Sequence, residues 1–290
     1  SLWQLLKFLP HLIGLRSDRS VYNLVSRHVK DPHLRQVMSF HPLLIGGNPF
    51  SVTSVYSLIS YLEQQFGVWS AMGGTGSLVT GLAKLIKQQG NEIKLNSEVD
   101  RINVDGQRAT GVTLKSGQVI NADVVISNAD SAWTYRHLID PDKRKRWTNK
   151  KLDKAAYSNG LFVWYFGTEG QYPDVPHHSI LLGPRYRELL VDIFKHKKLT
   201  DDFSLYLHRP TATDPAMAPD GCDAFYALVP VPHLDANVDW QTHAETFRQA
   251  IAERLEETVL PGLSQRIVTS RLLTPLDFQN RLNSFKGAGF

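Results

Sequence analysis

Two adjacent glycines, Gly73 and Gly74, stand before a segment of helical periodicity, and a long run from Glu92 to Asp130 follows it. The helix spans roughly Ser77 to Gln89, with Leu78, Leu82, Leu85 and Ile86 on one stripe and Gly90 closing it. The run then alternates apolar and polar residues and is broken by turn signals at Asp105-Gly106 and Ser116-Gly117. It ends in an apolar strand, Val124 to Ile126, and a small polar turn, Ser127-Asn128-Ala129-Asp130. A glycine turn, a helix, a meander and a further strand, in that order, leave few folds open. Residues 67–133 therefore read as one α/β unit, and a ligand of such a unit binds at the carboxyl ends of its strands.

Several residues of this unit carry two readings each. Gly73 and Gly74 allow positive φ and the close approach of a ligand, and the helix behind them offers amides to phosphate. They serve a plain tight turn as well. Val99, with Ile102 on the same strand, is either a buried strand valine or a backbone partner for a ligand. Asn128 and Ala129 are small enough for a cofactor rim, while Asp130 reads as well as a helix cap.

The flanks differ in character. Residues 1–66 read as mainly helical. An apolar segment opens them, with Pro10 breaking its first half. Helices follow around Val21 to His28 and from His33 to Ser39, the second after the Asp31-Pro32 start signal. Gly46 to Phe50 (GGNPF) reads as a loop, and Val55, Leu58, Ile59, Leu62 and Phe66 give a further helix ended by Gly67. Residues 134–290 mix strands and helices. Leu161 to Phe166, Phe203 to His208, Ala224 to Val231 and Ile267 to Leu273 read as strands, and Thr242 to Leu260 as an amphipathic helix.

Composition excludes several classes. Hydrophobic residues make up 42% of 290, enough for a sizeable core. A net charge of +4 is spread among mixed signs, so no nucleic-acid partner is expected. The single cysteine, Cys222, rules out an internal disulfide and a cysteine-based metal site. There are eleven histidines, but none forms a His-x-x-x-His pair, so no metal site is expected. The opening apolar segment is shorter than the ~20 residues of a membrane span.

A set of longer runs is more specific. DPHLRQVMSFHPLLIGGNPF (Asp31 to Phe50), GVWSAMGGTGSL (Gly67 to Leu78), VVISNADSAWTYRHL (Val124 to Leu138), LFVWYFG (Leu161 to Gly167), GPRYREL (Gly183 to Leu189), DFSLYLHRPTATDPAMAPDGC (Asp202 to Cys222) and VPVPHL (Val229 to Leu234) resemble the bacterial phytoene desaturase family in order and spacing. That family belongs to the amine-oxidase and carotenoid-desaturase branch of flavoproteins. The resemblance covers essentially the whole chain. It implies the middle part of an FAD-binding two-domain flavoprotein of α/β class with mixed α+β character. Residues 1–66 would be the helical part of a substrate and membrane-associating domain, residues 67–133 the second half of the FAD-binding domain, and residues 134–290 a substrate domain with a mixed sheet.

What the resemblance implies for function follows. FAD would be the cofactor, with Gly73, Gly74, Val99, Asn128, Ala129, Asp130 and Gly287 in its binding set. Val99 would pair with the adenine edge, and Gly287 would lie in the Gly-rich approach to a C-terminal cofactor segment. The substrate would be a long C40 polyene, the reaction a desaturation with hydride transfer to flavin, and the location peripheral, on the cytoplasmic side of a membrane surface. The family's N-terminal G-x-G-x-x-G unit has no counterpart here, so the chain reads as an internal portion of a longer protein. An aspartate and an arginine common in the family's opening segment fall at Gln4 and Lys7, and glutamine cannot exchange a proton as a carboxyl does. No catalytic residue is therefore named. A polyene isomerase or saturase, an oxidase or desaturase of another carotenoid, a lipid-binding module without chemistry, and an amine oxidase are the competing readings.

Overall fold

The computed structural model describes residues 16–290 together with 8, 10, 13 and 14. The opening apolar segment, with Gln4 and Lys7, falls largely outside the described residues.

The helical N-terminal part begins with α1 (Val21–His28), capped by the Ser20 hydroxyl, and α2 (Pro32–Ser39), whose Asp31 carboxylate accepts from the amides of His33 and Leu34. A 3-10 turn (His41–Ile45) ends at Gly46 in the left-handed region. A second one (Ser54–Ser57) leads into α3 (Leu58–Phe66), which stops at Gly67, again at positive φ.

Then comes α4 (Gly74–Gln88), with Gly73 and Gly74 both at positive φ at its start. It leads to an antiparallel meander of β1 (Val99–Asp105), β2 (Arg108–Leu114) and β3 (Val119–Asn121). Both expected turns join these strands. Two features depart from the sequence reading. Val124 to Ile126 forms no strand, and Val124 and Ile126 stand 73% and 89% exposed. The stripe of α4, from Leu78 to Ile86, is likewise exposed, and the helix buries no residue. The first has a plain physical reason. An apolar segment flattens into a strand only when neighbours accept and donate its hydrogen bonds, and no described strand lies beside residues 124–126.

The second sheet has five antiparallel strands in the order β5-β6-β7-β4-β8. They are β4 (Gly160–Glu169), β5 (His178–Leu181), β6 (Leu205–His208), β7 (Cys222–Val231) and β8 (Ile267–Leu273). Between β5 and β6, a short α5 (Tyr186–Val191) packs Tyr186, Leu189 and Leu190 against Phe40, Leu43 and Phe50 of the helical part. The alternation in β7 is strict: Asp223, Phe225, Ala227, Val229 and Val231 are buried, and the residues between them are half-buried. The buried face meets α6 (Trp240–Thr258), whose Phe247, Ile251 and Leu255 recur every four residues as expected and pack on Phe162 and Trp164. This is the main core. Last, α7 (Pro275–Leu282) opens with a reciprocal capping box between Thr274 and Asp277.

Candidate functional site

The second face of the five-stranded sheet is where ligands have room. Strand register determines what it displays. Ile180 pairs with Tyr206, Tyr206 with Leu228, Leu228 with Val163 and Val163 with Leu273, giving one nearly apolar row across all five strands. The next row is His178, His208, Tyr226, Tyr165 and Arg271, related in the same way. The face is therefore banded, hydrocarbon beside polar aromatic.

Above the apolar band lies a groove of about 340 Å³. Leu161, Ile180, Leu228 and Pro230 form its floor, and Phe40 with Leu43 its opposite wall. Phe290 closes one side, seated over Gly46, where an added Cβ would come within 2.6 Å of the Phe290 ring. The contributions of β7 and of Phe290 to this lining are not readable without strand order.

Polar groups border the groove at the second band. Tyr206 Oη lies 2.6 Å from His178 Nδ1 and 2.9 Å from His208 Nδ1. His177 Nδ1 bonds Thr213 Oγ1. Burial, aided by His177 and His178, pushes the His208 imidazolium down to about 4. Burial lowers His178 as well, while Glu63 pulls it the other way. Burial also raises both Tyr206 and Tyr226, so the whole cluster is neutral near pH 7.

A buried ion pair anchors this border. Asp223 accepts from Arg209 Nε at 2.9 Å, Thr211 Oγ1 at 2.6 Å and the Tyr172 amide at 2.7 Å. Arg209 also gives a hydrogen bond to Val175 O, and its amide bonds His177 O. The turn that follows presents Asp214, whose Oδ2 accepts from the Gly73 amide at 2.6 Å. A carboxylate at the first turn of α4 complements the positive end of the helix.

The sequence-predicted site residues are not brought into one cluster. Ala129 lines a cleft of about 670 Å³ between the meander and the segment 125–147, with Ile102, Ser127 and Arg144. Gly73, Gly74, Val99, Asn128 and Gly287 are not on that cleft. Asp130 caps the helical turn after it, accepting from the Trp133 amide at 2.7 Å. Gly287, at φ +64°, packs so tightly that a Cβ would sit 2.2 Å from Pro275 O. Gly74 leaves a Cβ 2.9 Å from Met217 Cε.

Does this chain suit a dinucleotide? β1 is an edge strand, so from Val99 onward half of its backbone amides and carbonyls are open to a partner. Small residues at Ser127, Asn128 and Ala129 permit close approach. This donor set fits the adenosine half of such a cofactor.

Comparison with known proteins gives the chain a family. The sequence profile of the family described as flavin containing amine oxidoreductase matches residues 4–211. The chain is 50% identical to the phytoene desaturase (neurosporene-forming) of Cereibacter sphaeroides, over 100% of this chain and 57% of that protein. It is 47% identical to the phytoene desaturase (lycopene-forming) of a Paracoccus species, over 100% of this chain and 58% of the relative. It thus spans somewhat more than half the length of the curated relatives it matches. Among solved structures, an oxidoreductase from Methanosarcina mazei superposes with a TM-score of 0.62 at 19% identity, covering 93% of this chain and 60% of that one. A redesigned putrescine oxidase superposes at 0.59 with 13% identity, covering 88% and 53%. These two carry the fold alone.

Proposed function

We propose a function from one premise: this chain belongs to the family of flavin-containing amine oxidoreductases. It is the central part of an FAD-dependent desaturase that acts on a C40 carotene of the phytoene type. The observation that carries this reading is the apolar groove on the sheet's second face, in a chain half identical to phytoene desaturases.

A saturated stretch of isoprenoid offers no hydrogen-bonding group. Its recognition rests on excluding water from apolar surface, at about 25 cal/mol per Å². The groove meets that need, since its floor and wall are almost wholly hydrocarbon. Its size suits one segment of a long polyene, with the remainder running beyond it. FAD, when bound, supplies the hydride acceptor. The chain's own part is to hold the polyene against that acceptor and keep water away. The neutral Tyr206, Tyr226 and His208 border supplies polar groups beside the hydrocarbon band.

Val99, Asn128 and Ala129 would hold the adenosine half of the cofactor. The exposed faces of α4 and of Val124 to Ile126 suit strands and helices that the relatives' additional length provides. Loading occurs at the cytoplasmic surface of a membrane, where the substrate is dissolved. Leu34, Val37 and Met38 form an exposed stripe along α2, with Leu44 and Ile45 exposed in the following turn. No helix of the described residues is long and apolar enough to cross a bilayer.

The test uses the complete reading frame containing this chain, expressed in cells that make phytoene. Pigments are extracted and their absorbance recorded. A coloured polyene supports desaturation, and its band positions count the steps. Unchanged phytoene with flavin bound refutes the assignment.

A further inference from the structure

Three histidines converge at the edge of the five-stranded sheet. His178 lies on β5 and His208 faces it as its register partner on β6. His177 precedes β5, and its carbonyl accepts from the Arg209 amide. One ring nitrogen from each of the three lies within 4.8 Å of the other two. Ring centroids are 4.4 Å apart for His177 and His178, 4.6 Å for His177 and His208, and 5.4 Å for His178 and His208.

The hydrogen bonds around the cluster decide its chemistry. A phenol oxygen has two lone pairs and one proton. Tyr206 Oη can accept from both His178 Nδ1 and His208 Nδ1 and still keep its own proton to donate elsewhere. Thr213 Oγ1 can accept from His177 Nδ1 in the same way. Every Nδ1 then carries a proton held by an oxygen, and every Nε2 carries a bare lone pair. That is the arrangement in which outer-sphere oxygens fix a histidine's tautomer and ring plane for a metal.

We propose that His177, His178 and His208 form a binding site for a borderline divalent transition-metal ion, of which Zn²⁺ is the type. Three neutral imidazoles suit that class and not Mg²⁺ or Ca²⁺, which take oxygen ligands. Three histidines leave a fourth position open to water or an exogenous ligand. Nitrogens around a tetrahedral Zn²⁺ lie closer together than 4.8 Å, so the rings rotate inward to close on the ion. The bound ion ties edge strand β5 to β6 and to the turn after it. The site adjoins the polyene groove, with which it shares Tyr206, and it does not rest on the flavin assignment.

The experiment uses the complete reading frame, purified without a polyhistidine tag. Zn²⁺ is titrated in competition with a chromophoric chelator, and Co²⁺ is used as a spectroscopic probe. The expected result is one equivalent per chain, tetrahedral ligand-field bands with Co²⁺, and no competition from a large excess of Mg²⁺. His208→Ala and His178→Ala should each weaken binding about tenfold or more. Zn²⁺ should raise the melting temperature of the parent and not of either variant. Because His178 is exposed on an edge strand, His178→Ala folds even if the other variant does not. Absence of stoichiometric binding by the parent, or binding undiminished in His178→Ala, overturns the proposal.

Discussion

Replacing Asp223 by alanine removes the acceptor that three donors share. The carboxylate is fully buried and its partner Arg209 is 8% exposed, so water cannot replace the lost bonds. Arg209 keeps Val175 O but is left with an unpaired Nε, and the Thr211 hydroxyl and Tyr172 amide are orphaned. Breaking a buried pair by deleting one partner costs about 3–5 kcal/mol, because the other charge stays buried. Each neutral donor adds a penalty of about 1–3 kcal/mol when nothing relaxes. Relaxation of the turn after β6 holds the total near the lower figure. Against a net stability of about 5–15 kcal/mol this is a severe loss. In melting temperature it is a drop of roughly 6–20 °C. Urea unfolding of the parent, Asp223→Ala, Arg209→Ala and the double variant measures it. The double variant should be less damaged than the sum of the singles, with a coupling of about 1–3 kcal/mol. A single-variant loss under about 1 kcal/mol, or strict additivity, would refute the reading that a buried charge hub organises this end of the sheet.

The remaining expectations concern the groove, the surface, pH and the cofactor. Leu228→Trp places a large ring over the apolar floor, so polyene conversion should fall about tenfold or more while the melting temperature barely moves; an unchanged rate would exclude the groove as the polyene's seat. Val37→Glu with Met38→Glu puts two carboxylates on the exposed stripe of α2, and sedimentation with lipid vesicles should drop severalfold; unaltered partition would remove α2 from the membrane contact. His208 is held well below an unfolded histidine, so near pH 5 the unfolded chain binds more protons than the folded one. Its contribution is therefore complete above about pH 6.5 and is lost as pH falls towards 4, and His208→Gln should flatten that limb of a stability profile. The present 290-residue chain, purified by itself, should be colourless. A stoichiometric flavin spectrum would show that its half of the cofactor contacts suffices.

Local chemistry made much of this protein readable from its residues. Helix α2 begins after Asp31-Pro32 because that carboxylate caps two amides, and α3 ends at Gly67 because a glycine takes the left-handed position without strain. The turns at Asp105-Gly106 and Ser116-Gly117, the strand Ile267–Leu273 and the four-residue rhythm of α6 follow from the same short-range rules. The runs that resemble carotenoid desaturases are local too. Other features depend on which strands become neighbours. Val124 to Ile126 has the composition of a strand, but composition supplies no hydrogen-bond partner. Asp130 offered two readings, and its carboxylate makes the cap by accepting from the Trp133 amide. His177 and His178 are thirty residues from His208, and no spacing rule joins them. Only the pairing of β5 with β6 puts His178 opposite His208, and only the next pairing, to β7, continues that row to Tyr226. Period and capping act over a few residues and so are written in the sequence, whereas a site assembled across strands exists only once register fixes which side chains share a face.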